Sequence, residues 1–197
     1  MTGLIILAAG PSSRLGQPKQ KLFYQGKSLL QHAVEEGILS GCSPVLVVLG
    51  AHESSVQEEL NFSGIEVVSN DDWERGMSSS IKCGVESLLG NAPQVNQLII
   101  MVCDQPYVEA EVLKKLIQAK EGSDKSIVAC AYGDTLGTPV LFDRSFFPEL
   151  LALQGEGGAK KLILDNKHQI VSIDFPLGSI DIDTLADYQK LTEGRNK

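Results

Sequence analysis

Leu7-Ala8-Ala9-Gly10-Pro11-Ser12-Ser13-Arg14-Leu15-Gly16-Gln17-Pro18-Lys19 gathers small residues, hydroxyls and two cations directly after a short apolar run. Backbone N–H groups in such a loop can approach phosphate oxygens closely, and Arg14 and Lys19 bring positive charge to the same place. The segment therefore reads as a cradle for a triphosphate. It is not a Walker loop, because five residues rather than four separate Gly10 from Gly16 and no Gly-Lys-Ser/Thr follows. No Gly-x-Gly-x-x-Gly supports a dinucleotide site either. A tight strand-to-helix connection with solvated Arg14 and Lys19 would have the same composition.

Three further segments carry groups suited to the same chemistry. In Leu98-Ile99-Ile100-Met101-Val102-Cys103-Asp104-Gln105-Pro106, an acid ends an apolar run and a proline turns the chain. A carboxylate at such an edge can hold Mg²⁺, which takes a few protein oxygens together with substrate phosphates; an Asp that only forms the turn is the alternative. In Ser179-Ile180-Asp181-Ile182-Asp183-Thr184, two carboxylates at i and i+2 share a side if the segment is extended, so one can join Asp104 on a metal. The alternative is that Asp183 or Thr184 caps the helix that follows. Asn70-Asp71-Asp72-Trp73-Glu74-Arg75-Gly76-Met77-Ser78-Ser79-Ser80 is a polar loop running into a helix, whose first amides can meet an anion or a base edge unless the serines cap them.

The elements that must position these groups alternate along the chain. Leu4–Ala8, Val45–Leu49, Leu98–Val102 and Ile127–Ala131 have the length and continuous hydrophobicity of strands covered on both faces, and Ile65–Val68 and Ile170–Ile173 are weaker candidates. Between them, Leu30/Ala33/Val34/Ile38, Ile81/Val85/Leu88/Leu89 and Val112/Leu113/Leu116/Ile117 repeat at helical spacing. Ser28 with Gln31, and more loosely Thr184 with Asp187, have capping-box spacing. This predicts a single α/β domain over residues 1–197, an open, mostly parallel sheet with helices on both faces and a ligand beyond the carboxyl ends of the strands. The rhythm loosens after about Gly133, where Gly137, Pro139, Pro148, Gly155, Gly157 and Gly158 crowd together.

Composition narrows the partners. With 197 residues, 43% of them hydrophobic and 21% charged, the chain can bury a core without metal or disulfide staples. Seventeen basic against 25 acidic residues give a net charge of −8, unfavourable for nucleic acid or an anionic membrane face. No apolar run approaches the roughly 20 residues that span a bilayer, and Met1–Ala9 lacks the flanks of a signal peptide, so a cytoplasmic protein is expected. Cys42, Cys83, Cys103 and Cys130 have no metal-ligand spacing and are expected as reduced thiols.

Together the four segments resemble the nucleotidyltransferases of the molybdenum cofactor cytidylyltransferase type, within the wider group related to molybdenum cofactor guanylyltransferase. The resemblance rests on Leu7 to Gly10, Ser13, Arg14, Gly16, Pro18 and Lys19; on Asn70, Trp73, Gly76, Met77 and Ser80; on Asp104 and Pro106; and on Asp181 to Thr184. It implies a Rossmann-like nucleotidyltransferase fold, and a nucleoside triphosphate bound by Leu7, Ala8, Ala9, Gly10, Ser12, Ser13, Arg14, Lys19, Asn70, Gly76, Ser79, Ser80 and Asp104. Arg14, Lys19 and Asp104 would be the catalytic residues. Backbone from Ala9 to Ser13, with Arg14, would take the leaving pyrophosphate, Lys19 the α-phosphate, and Asp104 with Asp183 an Mg²⁺ ion. Ala9 stands where the cytidylyl branch has Ala and the guanylyl branch Gly, which favours CTP.

The acceptor implied is a phosphorylated small molecule of molybdopterin type, with a molybdenum enzyme as a possible protein partner; a sugar or alditol phosphate acceptor, or a non-catalytic accessory protein, are the alternatives. Several positions depart from the family pattern. Gly137-Thr138-Pro139 lacks the usual His, Glu156 replaces an Asp, Leu185 replaces a Pro, and Lys21 adds a cation close to Lys19.

Overall fold

The structure, a computed structural model, describes residues 1–60 and 62–193, so residue 61 and residues 194–197 of the expected 1–197 domain lie outside the described residues. Among the described residues, sixteen strands and α-helices follow in chain order: β1 (Thr2–Leu7), β2 (Phe23–Tyr24), β3 (Lys27–Ser28), α1 (Leu29–Leu39), β4 (Val45–Leu49), α2 (Glu53–Val56), β5 (Ile65–Ser69), α3 (Met77–Asn91), β6 (Gln97–Val102), α4 (Ala110–Glu121), β7 (Ile127–Tyr132), β8 (Thr135–Asp143), α5 (Phe147–Leu151), α6 (Lys160–Asp165), β9 (Ile170–Asp174) and α7 (Leu185–Glu193). Seven strands form one sheet in the order β5-β4-β1-β6-β8-β7-β9, and β2 pairs with β3 in a separate hairpin. All the sheet neighbours are parallel except β8, which runs antiparallel to both β6 and β7.

Alternation within the buried strands divides the core into two layers. Leu4, Ile6, Val45, Val47, Ile99 and Met101 point to the face covered by α1 and α4 through Leu30, Val34, Leu113 and Leu116. Ile5, Leu7, Leu46, Val48, Leu98 and Ile100 point to the other face, against Ile81, Val85 and Leu88 of α3 and Ile163 of α6. With apolar side chains required on both faces, the strands read as unbroken apolar runs. Ile38 is the exception to its stripe: it is 40% exposed at the end of α1.

Both helix starts expected from capping spacing are built that way. The Ser28 hydroxyl accepts from the Gln31 N–H at 3.2 Å while the Ser28 N–H donates to the Gln31 side chain at 3.0 Å. Thr184 and Asp187 exchange the same pair of bonds at the start of α7. β8 is an element the sequence pattern hides. Gly137 and Pro139 read as loop residues, yet the strand runs through them because its register against β7 shifts between Ala129 and Cys130, leaving Thr138 and Pro139 between the paired Gly137 and Val140. A bulge tolerates a residue with no N–H to give to the ladder.

The topology places a crevice. From β1 the chain moves outward to β4 and β5 and then crosses to β6 on the other side of β1, so the strand order reverses between β1 and β6. Ligands of open α/β sheets bind beyond the carboxyl ends at such a point. Leu7 and Val102, the last residues of the two strands, lie in register, and the Cys103 N–H donates to the Leu7 carbonyl at 3.3 Å. The glycine-rich loop and Asp104 therefore leave the sheet side by side.

Candidate active site

The loop after β1 is held from behind by a side chain. Gln20, with no exposed surface, donates from Nε2 to the carbonyls of Ala8 at 2.7 Å and Gly10 at 3.2 Å. Ser12 sits in the left-handed region at φ 53°; its hydroxyl accepts from the Lys19 N–H at 3.0 Å and donates to Gln20 Oε1 at 3.4 Å. His52 adds a contact from outside, its Nε2 lying 3.1 Å from the Pro11 carbonyl. These bonds consume the loop's carbonyls and hold the backbone in one shape, a precondition for turning N–H groups toward an anion.

Lys19 leaves this loop to meet the two acidic segments. Its Nζ is paired with Asp104 Oδ2 and lies 3.3 Å from Asp183 Oδ1, while Arg14 Nη2 lies 3.3 Å from Asp183 Oδ2. The Ile182 N–H donates to the Asp104 carbonyl at 3.0 Å, tying the segment before α7 to the end of β6. Burial opposes the charge on Lys19, but the Asp104 carboxylate, supported by Cys103 and Asp183, outweighs it and raises the ammonium pKa above its ordinary value. Lys21 points elsewhere, donating to the Ser55 carbonyl at 3.2 Å with Glu59 3.9 Å away.

The carboxylates fit a hard cation. Asp104 Oδ1 is buried with no hydrogen-bonding partner among the described residues, although its other oxygen is paired with Lys19. Asp181 reaches solvent, yet desolvation and then the neighbouring charges of Asp104 and Asp183 push its carboxyl up to about 6. Crowded negative charge beside a lone pair without a donor is an environment that a divalent ion relieves. Among the described residues no group of three or more His, Cys, Asp or Glu is arranged to hold a metal. Mg²⁺ rarely has an all-protein cage, and two carboxylates plus substrate phosphates are its usual complement.

A cleft of ≈ 510 Å³ opens in front of these groups, lined by Leu7 to Pro11, Arg14, Lys19, Gln20, Trp73, Gly76, Met77, Ser80, Cys103, Asp104 and Glu156, among others. Gly76 forms the far wall at φ 92°, and a Cβ there would stand 2.9 Å from Glu156 Cα, so only glycine lets the two segments close on each other. Gly50 permits a second close approach, since a Cβ would stand 2.7 Å from the Trp73 Cβ and 2.9 Å from the Ala9 Cβ.

Five of the site residues named from sequence stand outside this lining: Ser12, Ser13, Asn70, Ser79 and Asp183, the last joining the cluster through its contacts with Lys19 and Arg14. Ser12 shapes the loop and Ser13 is exposed on it. Asn70 is buried and donates to the hydroxyls of Ser79 and Ser80 at 2.9 and 3.0 Å, and it lines a neighbouring cavity with Ser79. The serines do not cap α3: its N-cap is Gly76, and the Ser79 hydroxyl donates backwards to the carbonyls of Asp72 and Gly76. Gln20, His52 and Glu156 were not singled out by sequence as site residues. Glu156 had a signal, its place in a glycine cluster; Gln20 between two lysines had none.

A second cleft of ≈ 450 Å³ adjoins the first, sharing Met77 and Val102 with it and reaching Asp181. Two clefts thus meet at Met77 and Val102, one lined by Lys19, Asp104 and the shaped backbone loop and the other reaching Asp181. Such an arrangement suits transfer between two anionic partners brought to the same charges.

Comparison with known proteins places this geometry in a family. The chain is 29% identical over 196 residues to nicotine blue oxidoreductase of Paenarthrobacter nicotinovorans, covering 95% of this chain and 94% of that protein. It is 25% identical over 185 residues to the molybdenum cofactor cytidylyltransferase of Escherichia coli K12, covering 93% and 92%. Among solved structures, Rv0371c from Mycobacterium tuberculosis H37Rv superposes with a TM-score of 0.85 at 31% identity, over 98% of this chain and 97% of that one. A complex of the same protein with manganese gives 0.80 at 28%, over 98% of each chain. The family model of the MobA-like NTP transferase domain matches residues 4–170, and the chain belongs to that family of nucleotidyltransferases.

Proposed function

We propose that the chain transfers CMP from CTP to a phosphorylated small-molecule acceptor of molybdopterin type and releases pyrophosphate. The observation that carries this reading is the convergence of Arg14, Lys19, Asp104 and Asp183 beside a loop whose carbonyls are already engaged. The base follows from Ala9 in the opening motif and from similarity to the cytidylyltransferase of Escherichia coli K12. A cytoplasmic setting and a molybdenum enzyme as recipient belong to the same reading.

The acceptor phosphate is the nucleophile. One of its oxygens forms a bond to the α-phosphorus as the bond from that phosphorus to the β-bridging oxygen breaks. A phosphate monoester is already anionic, so no side-chain base is needed. The work left is positioning and charge neutralisation. Loop amides of Ala9, Gly10, Ser12 and Ser13 and the Arg14 guanidinium hold the departing pyrophosphate, and the Lys19 ammonium, kept protonated by Asp104, moves onto the α-phosphate. Asp104 and Asp183 would hold Mg²⁺, which supplies Lewis-acid polarisation and a template for the phosphates. The manganese complex of the Mycobacterium tuberculosis relative supports a divalent ion.

The test is a panel of the four nucleoside triphosphates with Mg²⁺ and molybdopterin-type or sugar-phosphate acceptors, scored by pyrophosphate. CTP with a molybdopterin-type acceptor is expected to give the highest kcat/KM. Tight CTP binding without pyrophosphate from any acceptor would instead identify a nucleotide-binding accessory protein.

A further inference from the structure

Asp104 and Asp183 come from segments far apart in the chain, and the spacing between them depends on how those segments are tied. Among the described residues the Asp183 carboxylate is paired only with Arg14 and Lys19. A triphosphate would draw both cations away, so the place of that carboxylate then rests on its backbone. Two bonds hold the backbone to the step after β6. The Ile182 N–H donates to the Asp104 carbonyl at 3.0 Å, and Gln105 Nε2 donates to the Gly178 carbonyl at 2.7 Å. Gln105 also donates at 3.2 Å to the carbonyl of Thr138, within the bulge of β8.

Gln105 is placed to set that spacing. It is 4% exposed, so water does not compete for its bonds. Both of its partners are carbonyl oxygens, which turns the NH₂ end of the amide toward them and uses both of its hydrogens. Its neighbour in the chain is Asp104, so one peptide step carries the first carboxylate and grips the segment that carries the second. The two bonds bracket Gly178 to Ile182, a side chain with no exposed surface, and Asp183 is the next residue. Resting on the transferase reading and its shared ion, we propose that Gln105 is a positioning residue that fixes the separation of Asp104 and Asp183 and so matches the pair to Mg²⁺.

The chemistry of the ion makes this a matter of selectivity. Mg²⁺ requires short bonds in a near-octahedral arrangement, whereas Ca²⁺ accepts longer bonds in variable number and direction. Two carboxylates held from behind at one spacing favour the first ion; two whose spacing wanders still serve the second. Groups that orient metal ligands from behind typically carry about 10–100-fold in metal affinity. Gln105→Met removes both donors at nearly constant volume and leaves the Arg14 and Lys19 side chains and the loop after β1 as they are. Its cost in stability, from carbonyls left without a donor, is separate from its effect on the ion.

The experiment measures the CTP affinity of the full chain by calorimetry in EDTA, in saturating Mg²⁺ and in saturating Ca²⁺, so that the gain over EDTA reports how each ion couples to the nucleotide. Gln105→Met is expected to cut the Mg²⁺ gain at least about tenfold and the Ca²⁺ gain no more than about threefold, with affinity in EDTA within about twofold of the unaltered chain. Should that variant fail to fold, Gln105→Asn keeps the amide but draws it back by a methylene from the two carbonyls, and the Mg²⁺ gain should fall in the same selective way. A Mg²⁺ gain that the folded variant leaves unchanged, or gains from Mg²⁺ and Ca²⁺ that fall together, overturns the proposal. So do affinities that drop equally in all three conditions, which is the mark of a general loosening of the fold. No Mg²⁺ gain in the unaltered chain overturns it along with the shared ion. A selective loss in the variant, with no pyrophosphate formed by the unaltered chain from any acceptor, upholds the role of Gln105 and counts against the transferase reading instead.

Discussion

Lys19 and Lys21 stand two positions apart and the structure assigns them different work. Lys19→Ala is expected to lower turnover by at least about tenfold, some 1.4 kcal/mol of transition-state stabilisation, whereas Lys21→Ala leaves turnover within about twofold. Because Lys19 and Asp104 are largely buried together, the variant also strands a carboxylate, at a cost on the order of 3 kcal/mol. Adding Asp104→Asn to Lys19→Ala should recover most of that stability in urea denaturation and none of the activity. A more damaging Lys21→Ala would sink the assignment. Gln20→Leu keeps the volume and removes both donors from the Ala8 and Gly10 carbonyls. Its expected effect is a rise in KM for the nucleotide of about tenfold, since uniform binding is lost while Lys19 and Asp104 remain. Unchanged KM would show that the loop holds its shape without it. The charged groups were legible in the sequence because each sits at the end of an apolar run or a glycine turn. Gln20 was not, because its role exists only through contacts back across the loop to Ala8 and Gly10.

At the scale of elements, legibility followed burial on both faces. β1, β4, β6 and β7 announce themselves as apolar runs because both sheet faces are covered, and the helices that cover them repeat at the matching spacing. β8 was hidden by Gly137 and Pro139, whose local signal for a loop is overruled by the register shift that absorbs them. The two-residue strands of the β2–β3 hairpin are too short to carry a period. Helix α1 also buries a titratable group that no motif marked. His32 is 5% exposed and edge-on to Tyr24, and burial pushes its pKa below 6.5, with Glu36 and Glu109 opposing that shift and Lys27 adding to it. A histidine held neutral in the folded state takes up a proton only on unfolding once the pH falls below about 6.5. Stability is therefore expected to decline as pH drops from 7 toward 5, by no more than about 1.4 kcal/mol per unit for this one proton. His32→Gln should flatten that part of the profile, measured by urea midpoints at each pH; an identical slope in both proteins would remove His32 as its source.

At the scale of the whole molecule, the site exists because the sheet reverses direction at β1. Asp104 follows β6 and Asp183 precedes α7, and they reach one ammonium only after α4, β7, β8, α5, α6 and β9 have been packed between them in the chain. Spacing alone could suggest that two carboxylates share an ion, but not that Arg14 and Lys19 would both be drawn to Asp183. Residues that act as one unit lose function together. Asp104→Asn and Asp183→Asn are each expected to remove most Mg²⁺-dependent turnover, with the double variant little worse than either. The two need not match in stability: Asp104→Asn leaves Lys19 largely buried without its closest anion, whereas Asp183 is half exposed and its loss is screened by solvent. Asp181→Asn should be milder in turnover, because Asp181 lines the second cleft and forms no ion pair with Lys19 or Arg14 among the described residues. Titrating Mg²⁺ with and without CTP separates the roles further, since an ion that borrows phosphate oxygens binds weakly to the protein alone and more tightly with nucleotide present. Full activity in Asp183→Asn with Asp181→Asn inactive would move the second ligand by two residues, and full activity in Asp104→Asn would end the account of a shared ion between these two strand and helix termini.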